Sequence, residues 1–367
     1  MDKSKVLYVG MDVDKEKIAM AALGRNGKEF VSEQLVGNNS TTVEKYFRKL
    51  MKNGTEVIAC YEAGCFGFQL ARQLSGMGIG CAVAAPGMLP KMPSDHVKTD
   101  RRDARTIAKA LRNGDVHNVY VPSKQDESVR DYLRMYEDVK GNVKRAKQRI
   151  LTLLLRKGLR YTESGNWTGG HWRWLRALQL DQPLAHETLQ EYLSSLSELE
   201  ETSQRIAARI EQIALEERYS EPVTELKAFK GIGTLIALSL IVEIGDFRRF
   251  ATAQQFMAFL WLVPSEYSSG SHRRQGSITK AGNSHLRKLL VEAGWHYRSY
   301  SPVSKRLANR REGLPAQLVA YAHRAGRRLN KKFVRMVFSG KPSQVAATAV
   351  ARELSGFIWG AMTGKTA

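Results

Sequence analysis

Two carboxylates, Asp100 and Asp103, lie three residues apart in a stretch whose pattern is typical of the start of a helix. In a first helical turn such side chains project from one face, so the two would lie side by side. The helix dipole alone favours acidic residues there, which is the simpler explanation. A carboxylate cluster within a basic protein is also the arrangement expected where Mg²⁺ must be held against a phosphate. The arginines around the pair are Arg101, Arg102 and Arg105.

Two further acidic residues end predicted strands earlier in the chain. Apolar runs and turn residues predict three antiparallel strands, then helix, strand, helix, strand and helix, which is the order of the RNase H-like fold. In that order Asp12 ends the first strand and Glu62 the fourth, and these strands are neighbours. Asp and Glu at strand ends are also common as turn residues, so each residue alone is weak evidence for a metal site. The predicted strands are 6–11, 17–23, 29–36, 56–61 and 80–85, and the helices between them are 41–51 and 66–76.

The two pairs of acidic residues together predict one metal site. If the last helix packs beside the first and fourth strands, Asp12, Glu62, Asp100 and Asp103 converge. Two divalent ions roughly 4 Å apart, held by such carboxylates, are a standard device for phosphodiester chemistry. We therefore expect Mg²⁺ as the cofactor.

The charge balance indicates a polyanionic partner. The chain of 367 residues carries a formal charge of +21, with a pI near 9.9. From Ser271 to Ala367 there are 19 Lys and Arg against three Glu, so a net +16 lies in this C-terminal part. An excess of this size favours nucleic acid over a small metabolite as the ligand.

Cysteine usage and hydropathy predict a soluble cytoplasmic protein with no membrane partner. The three cysteines, Cys60, Cys65 and Cys81, form no C-x-x-C pair and no zinc spacing, which suits a reducing compartment. The longest apolar run, from Ile232 to Ile244, contains polar residues and is too short to span a bilayer.

The middle of the chain is predicted to be a coiled-coil helical hairpin. Apolar residues recur at spacings of three and four over 129–153 and again over 189–213, with one polar break at Ser203. Two such seams pack against each other or against another subunit, so we expect a dimer. The segment between them holds Trp167, Trp172 and Trp174, which either pack at the hairpin tip or contact nucleic acid.

A Gly-x-Gly turn follows Pro222, which we interpret as a boundary. Gly231 and Gly233 precede an apolar helix, and two short helices joined by such a turn suggest a helix-hairpin-helix that binds phosphate through its amides. No strand precedes the turn, so a dinucleotide-binding motif is excluded. The three predicted parts are residues 1–124, 125–220 and 221–367.

A serine-rich segment and a basic helix complete the C-terminal part. Ser265 to Asn283 reads as a surface loop between helices, and a serine within it could attack phosphorus if electrostatic help were available. The predicted phosphate-binding residues of the loop are Arg273, Arg274 and Lys280. Those of the helix are Arg327, Arg328, Lys331 and Lys332, with Arg324 and Arg335 beside them.

The chain resembles the DEDD transposases of bacterial insertion sequences, the group that includes the Piv DNA invertase and the bridge-RNA-guided recombinases. The similarity extends over nearly the whole length, and Lys230 departs from the proline that commonly precedes Gly-x-Gly. The motifs that carry it are Tyr8-Val9-Gly10-Met11-Asp12, Tyr61-Glu62-Ala63, Lys98-Thr99-Asp100-Arg101-Arg102-Asp103-Ala104, Gly231-Ile232-Gly233, Leu262-Val263-Pro264, Ser268-Ser269-Gly270, Gly276-Ser277-Ile278-Thr279-Lys280 and Ala349-Val350-Ala351-Arg352-Glu353-Leu354.

This resemblance implies a recombinase with a RuvC-like domain bearing four acidic residues and a transposase domain bearing a nucleophilic serine. The serine next to the glycine of the Ser-Gly motif is the fixed one, which maps onto Ser269 and leaves Ser268 as its neighbour. The family chemistry implies a covalent phosphoserine link to DNA, with bound metal assisting. It also implies a structured bridge RNA that pairs with donor and target DNA, and a homodimer or a higher oligomer such as a tetramer.

Two other readings of the same residues remain open. The four carboxylates could serve a RuvC-like, metal-dependent nuclease that hydrolyses junctions, with the serine loop only binding phosphate. A non-catalytic nucleic-acid-binding protein is the third reading, and the four acidic residues in their topological places argue against it. Covalent attachment of protein to DNA distinguishes the first two.

Overall fold

A computed structural model describes residues 6–86, 89, 99–266, 275–279, 282–299 and 303–366. The chain divides into two compact units, residues 1–121 and 122–367. The first is a mixed α/β unit and the second is almost entirely helical.

The first unit is built on a five-stranded mixed sheet. Its order is β3-β2-β1-β4-β5, in which β1 runs antiparallel to β2 and parallel to β4. The predicted order of elements and the predicted pairing of the first and fourth strands are confirmed. The elements are β1 Val6–Val13, β2 Lys17–Gly24, β3 Phe30–Gly37, α1 Ser40–Leu50, β4 Glu56–Glu62, α2 Gln69–Gly76, β5 Gly80–Ala84 and α3 Asp100–Asn113.

Both faces of this sheet are covered, as the apolar composition of β2 requires. Ile18, Met20 and Ala22 face the cluster formed with α1 and α2, whereas Ala19 and Ala21 face Ala104 of α3. Side chains alternate across a strand, so a strand buried on both faces is apolar at nearly every position. The small residues lie on the side where the helix comes closest.

The closest approach between α3 and the sheet occurs at Gly10 of β1. A Cβ atom there would lie 2.1 Å from the carbonyl oxygen of Ala104 and 2.3 Å from the amide nitrogen of Ala108. Both are backbone atoms of α3 that cannot move aside as a side chain would. Glycine is therefore required for the helix to rest directly on the strand.

The second unit begins with a long helical hairpin. Gln125 near the start of α4 contacts Glu216 beyond the end of α6, while Lys147 pairs with Glu200, so the two helices run antiparallel. The elements are α4 Lys124–Arg156, α5 Gly169–Ala177, α6 Pro183–Ile213, α7 Glu217–Leu226, α8 Thr234–Ile244, α9 Ala253–Phe259, β6 Pro264–Glu266, β7 Gln275–Ile278, α10 Ser284–Trp295, α11 Lys305–Arg311, α12 Ala316–Phe338 and α13 Ser343–Met362.

The apolar seams of α4 and α6 face each other. Ile150 and Leu153 of α4 share a core with Leu189 and Leu196 of α6 at one end, and the other end joins the core of the C-terminal helices. Each seam thus finds its partner within the chain. The seams therefore give no separate reason for a second subunit.

The tryptophan-rich segment packs at the tip of this hairpin. Trp167, Trp172 and Trp174 are partly buried against the core of the tip. His171 is fully buried, and its ring stacks on Trp174 with centroids 5.7 Å apart. Burial lowers the pKa of His171, which keeps the imidazole neutral. These contacts agree with the packing interpretation of the segment.

Helix α8 is the centre of the second unit, and the C-terminal helices complete its core. Eight of the eleven residues of α8 are buried, which explains its almost continuous apolar sequence. Leu329 and Phe333 of α12 and Val350 and Leu354 of α13 belong to the same core. The basic C-terminal region is therefore an integral part of the fold.

Two details of the second unit differ from expectation. Pro222, which we interpreted as a boundary, lies inside helix α7. The hairpin before it and the C-terminal helices after it belong to the same compact unit. The segment from Ser265 to Asn283, predicted as a loop between helices, instead contains residues of two short strands, β6 and β7, which pair antiparallel. Pattern reading missed them because strands of three and four residues carry almost no periodicity.

A buried carboxylate fixes the start of the hairpin to α7. Asp126 is only 2% exposed and accepts two hydrogen bonds from Arg218, at 2.9 and 2.5 Å, and one from the Tyr219 hydroxyl at 2.8 Å. Burial opposes ionisation of the carboxyl, but the hydrogen bonds from Arg218, Tyr219 and Ser123 outweigh it and lower the pKa of Asp126.

We expect Asp126→Asn to lower the free energy of unfolding by about 2 kcal/mol at neutral pH, because it leaves a buried hydrogen-bonded ion pair incomplete. The carboxyl has a lower pKa folded than unfolded, so its stabilisation is complete above the unfolded value, near 4. It is lost as pH falls through the folded value. Urea unfolding between pH 3 and pH 7 should show the two proteins converging at the acidic end.

The matched control for this measurement is Asp131→Asn, one turn further along α4, where the residue is exposed. It should change stability by less than about 0.5 kcal/mol. A difference between wild type and Asp126→Asn that stays constant down to pH 3 would contradict the ionic role.

Candidate active site and nucleic-acid interface

The four predicted acidic residues lie at the same edge of the first unit. Asp12 follows Met11, which pairs with Tyr61 in the parallel ladder, so Asp12 and Glu62 extend from neighbouring strands at their carboxyl ends. Gly10 contacts α3, and Cys60 packs with Ile107 of α3. Because side chains two residues apart share a face, Asp12 and Glu62 both point to the α3 side of the sheet.

Helix α3 brings its own pair of carboxylates to that edge. Arg112 at its far end donates to the carbonyl of Gly27, which lies in the turn beside the start of β1. The helix therefore runs opposite to β1, and its first turn lies at the carboxyl end of that strand. Thr99 caps the helix, so Asp100 and Asp103 are held in that first turn.

The donors suit a hard cation, although they are not gathered into a closed site. Carboxylate oxygens are the ligands that Mg²⁺ prefers. Within the ranges that the structure describes, no three His, Cys, Asp or Glu side chains come close enough together to hold a metal ion. Asp12 and Asp103 are half-buried, and Glu62 and Asp100 are exposed. The metal assignment of these four residues remains a prediction.

Glu33 is an acidic residue of this region that sequence reasoning missed. It lies on β3 and accepts two hydrogen bonds from Arg105, at 2.5 and 2.8 Å, with Arg101 3.8 Å away. The hydrogen bond from Arg105 lowers the pKa of Glu33. Arg105 is thus engaged within the fold. The Arg101 side chain is 68% exposed and can still reach a ligand.

The segment predicted to carry the nucleophile lies outside the described residues. This holds for Ser269, and equally for Arg273, Arg274 and Lys280. The strands β6 and β7 on either side of Ser269 are described, and Pro264 pairs with Ile278 and Glu266 with Gln275.

Asn283, which follows β7 and precedes α10, is anchored by a buried carboxylate. Glu243 of α8 accepts hydrogen bonds from Arg134 at 2.8 Å and from Asn283 at 3.0 Å. Asn283 in turn caps α10 by accepting from the amide of Leu286. In the sequence, Glu243 is simply one of the polar residues within the apolar run from Ile232 to Ile244. No local pattern therefore indicates its role.

The Gly-x-Gly turn between α7 and α8 is held tightly against α10. Gly231 has φ +84°, and a Cβ atom there would lie 2.7 Å from the carbonyl oxygen of Ala293. Both its conformation and its packing therefore require glycine. Gly233 is the N-cap of α8, so the first amides of a helix open beside the turn.

The basic face of α12 lines an open groove of about 900 Å³ with residues of α13. Its lining includes all four predicted residues, Arg327, Arg328, Lys331 and Lys332, together with Arg324 and Arg335. The aromatic rings of Tyr321 and Phe357 lie among them. Cations interleaved with aromatic rings suit contact with phosphates and bases.

Two of those four cations already have an acidic partner within the fold. Glu353 of α13 accepts from Lys332 at 2.6 Å and from Arg328. Burial opposes ionisation of Glu353, but these two cations lower its pKa. Arg328 and Lys332 thus tie α12 to α13, and the groove keeps its positive charge through the remaining basic residues.

No helix in the described part of the chain has both the length and the apolar character needed to cross a membrane.

Comparisons with known proteins agree with this architecture. A DEDD transposase family model of IS110 matches residues 9–157, and the model described as the transposase IS116/IS110/IS902 family matches residues 223–309. The first contains Asp12, Glu62, Asp100 and Asp103. The second contains the Gly-x-Gly turn and the segment with Ser269.

Individual relatives are similar over nearly the whole chain. The transposase for insertion sequence element IS1533 of Leptospira borgpetersenii is 35% identical, over 90% of this chain and 96% of the relative. The relative y4qE of Sinorhizobium fredii (strain NBRC 101917 / NGR234) is 34% identical, over 96% of this chain and 87% of its own length. Given this extent of similarity, the chain belongs to the IS110 family of insertion-sequence transposases, enzymes that cleave and transfer DNA strands.

Proposed function

We propose that this transposase recombines DNA through a serine nucleophile assisted by Mg²⁺, under the guidance of a structured bridge RNA that pairs with donor and target DNA. The observation that carries the proposal is the arrival of Asp12, Glu62, Asp100 and Asp103 at one edge of the first unit. The strand order and the position of α3 support a RuvC-like, RNase H-like assignment for that unit.

The acidic edge would bind the metal and orient the scissile phosphate. Bound Mg²⁺ supplies Lewis-acid stabilisation of the charge that develops on the phosphate oxygens. The carboxylates of Asp12 and Glu62 come from adjacent strands and those of Asp100 and Asp103 from one helical turn. Four donors on rigid elements keep their spacing when substrate binds. Arg101 and Arg102, beside the pair on α3, would bind the flanking phosphates.

The Ser269 hydroxyl would attack the phosphorus atom of that phosphate. A bond forms between serine Oγ and phosphorus, one bond from phosphorus to a sugar oxygen breaks, and the serine proton is transferred to the departing sugar oxygen. The phosphoserine ester conserves the bond for rejoining to a new strand. Arg273, Arg274 and Lys280 would stabilise the charge that develops in this step.

The remaining nucleic-acid contacts would be made by the second unit. The groove along α12 offers Arg327, Lys331 and neighbouring cations, and the turn at Gly231 and Gly233 offers backbone amides to a phosphate. The helix-hairpin-helix assignment of that turn is supported by α7 and α8 on either side of it. Donor DNA, target DNA and bridge RNA share the phosphate backbone that such surfaces recognise.

Catalysis by a homodimer or a larger assembly is the last part of the proposal. The carboxylates and Ser269 belong to different compact units, and the hairpin does not supply a reason to dimerise. We propose that the Ser269 segment of one protomer meets the acidic edge of its partner, which makes the dimer the catalytic unit.

Replacing Asp100 or Asp103 with Asn should abolish covalent DNA attachment, by about a hundredfold or more, since even outer-shell partners of a metal contribute 10–100-fold. The same variants should lose the rise in Tm that Mg²⁺ gives the wild type, because a ligand stabilises only the state that binds it. Asp115→Asn, an exposed residue just beyond the other end of α3, is the control. Wild-type attachment by Asp100→Asn would remove the acidic edge from the mechanism.

Mixing a Ser269→Ala protein with an Asp12→Asn protein should restore part of the covalent attachment that each lacks alone. Half of the dimers would be mixed if the protomers exchange freely, and each would carry one intact combination of serine and carboxylates out of two, so about a quarter of wild-type adduct is expected. The adduct is measured as labelled DNA retained on the denatured protein. An adduct from Ser269→Ala alone would instead identify Ser268 as the nucleophile to test first.

The same assay distinguishes hydrolysis from covalent catalysis. If wild-type protein with its RNA cleaves DNA but never retains it, the metal-dependent junction nuclease is the correct function. The four carboxylates alone would be sufficient for that reaction.

Lys331→Gln should weaken DNA binding and reduce the slope of log affinity against log salt by about 1, because each phosphate contact releases about one counterion. A point substitution is needed here, since α12 and α13 contribute to the core and deleting them would unfold the unit. Lys45→Gln, an exposed residue of α1, is the matched control. An unchanged slope would place the phosphate contacts elsewhere.

A further inference from the structure

A cavity of about 370 Å³ lies between the Gly-x-Gly turn, α11 and α12. It is separate from the groove along α12 and borders it at Arg327, which lines both. The volume falls within the range of ligand pockets in proteins and would accommodate a group the size of a nucleotide.

Five cations line this cavity at two depths. Lys230, Arg310 and Arg311 are half-buried, whereas Arg306 and Arg327 are exposed at its rim. Their partial burial removes these three groups from part of their water and so lowers their pKa values. Arg306 adds repulsion toward Arg310.

The deeper cations are held in place by backbone carbonyls. Arg310 donates to the carbonyl of Ile232 at 3.0 Å, and Arg311 donates to that of Ala228 at 3.0 Å. Each of these bonds uses one of the five N–H donors of a guanidinium. These two contacts thus position the guanidinium groups without neutralising their charge.

The described lining of the cavity contains no balancing acid. No Asp or Glu is among the described residues that line it. The acidic residue whose charge acts on Arg310 is Glu211, and its carboxylate accepts a hydrogen bond from Thr234. Placing several cations close together in a partly buried space costs free energy, because they repel one another and lose water. An anionic ligand that binds there would offset this cost.

We propose that this cavity takes the phosphate and sugar of one unpaired nucleotide of a nucleic-acid strand that continues along the α12 groove. The inference rests on the proposed function in assuming a nucleic-acid ligand. The deeper cations are reached only by a group that enters the cavity, and a paired strand keeps its nucleotides within the duplex. An unpaired strand can place one nucleotide inside.

The shape of the rim is consistent with this assignment. His296, His323 and Ser299 are exposed residues of the lining, the two histidines offer flat rings, and Asn330 is half-buried. Rings stack on unpaired bases with little sequence preference. Arg327, shared by the cavity and the groove, would contact the next phosphate along the strand.

The test compares Gly233→Asp with Gly233→Asn in the full-length protein. Gly233 has φ −103°, and a Cβ atom there meets nothing within 4 Å. Asp and Asn both cap helices well, so neither should destabilise α8. Only Asp adds a negative charge where the phosphate would bind. The probes are a labelled 20-nucleotide single strand of mixed sequence, as DNA and as RNA, and a 20-base-pair duplex DNA.

We expect Gly233→Asp to bind both single strands about tenfold more weakly than Gly233→Asn, from repulsion between neighbouring charges. Duplex affinity should fall less than single-strand affinity, because a duplex can contact the turn but keeps its nucleotides out of the cavity. Arg306→Gln at the rim should likewise weaken single-strand binding relative to Lys305→Gln, an adjacent exposed residue outside the cavity.

Each contrary outcome has one meaning. Equal single-strand affinities for the two Gly233 variants, or an equal loss of duplex binding, would overturn the cavity assignment and leave the proposed function intact. Tight binding of inorganic phosphate that single strands do not displace would overturn it in favour of a small-anion site. If wild-type protein binds neither single strands nor duplex, the nucleic-acid function itself fails.

Discussion

The direct contact between the backbones of β1 and α3 at Gly10 governs the geometry of the first unit. Because no side chain separates them, the distance between the sheet and the helix is set by backbone atoms alone. The first turn of α3 is thereby fixed beside the carboxyl ends of β1 and β4. The relative positions of Asp12 and Asp103 depend on this one approach more than on any pairwise interaction between them.

Internal ion pairs organise the rest of the molecule. Asp126 with Arg218 fixes the hairpin to α7, Glu243 with Arg134 joins α4 to α8, and Glu353 with Lys332 joins α13 to α12. A chain of charge +21 thus uses several of its acidic residues to fasten its helices together. Most of the net positive charge lies in the C-terminal part, where 19 Lys and Arg face only three Glu.

Ion pairs within the fold also limit how well net charge predicts which basic residues bind nucleic acid. Arg105 is one of the arginines around the Asp100 and Asp103 pair in sequence, yet it binds Glu33, which is 72 residues away. The same is true of Arg328 with Glu353. Long-range partners of this kind have no local signal, so a sequence can predict a basic region without showing which of its cations are engaged.

Sequence periodicity predicted the first unit well, because its strands and helices are long enough to show their repeats and their order is distinctive. The bounds of α8 followed from the glycines on either side of an apolar run. The short strands β6 and β7 were missed, and Pro222 proved compatible with a helix because tertiary packing overrides a local breaker. The convergence of the four carboxylates could be argued only through topology, and their spacing depends on backbone contacts that no residue pattern encodes.

The antiparallel packing of α4 on α6 has a mechanical consequence. A helix of 33 residues is about 50 Å long, and two such helices packed along their length bend much less than one. The exposed leucines near the far end, Leu155 and Leu184, are therefore carried on a stiff arm. Since Glu137 of α4 still pairs with Lys288 of α10, the part of α4 beyond this contact is about 28 Å long, a reach equal to about eight base pairs of DNA.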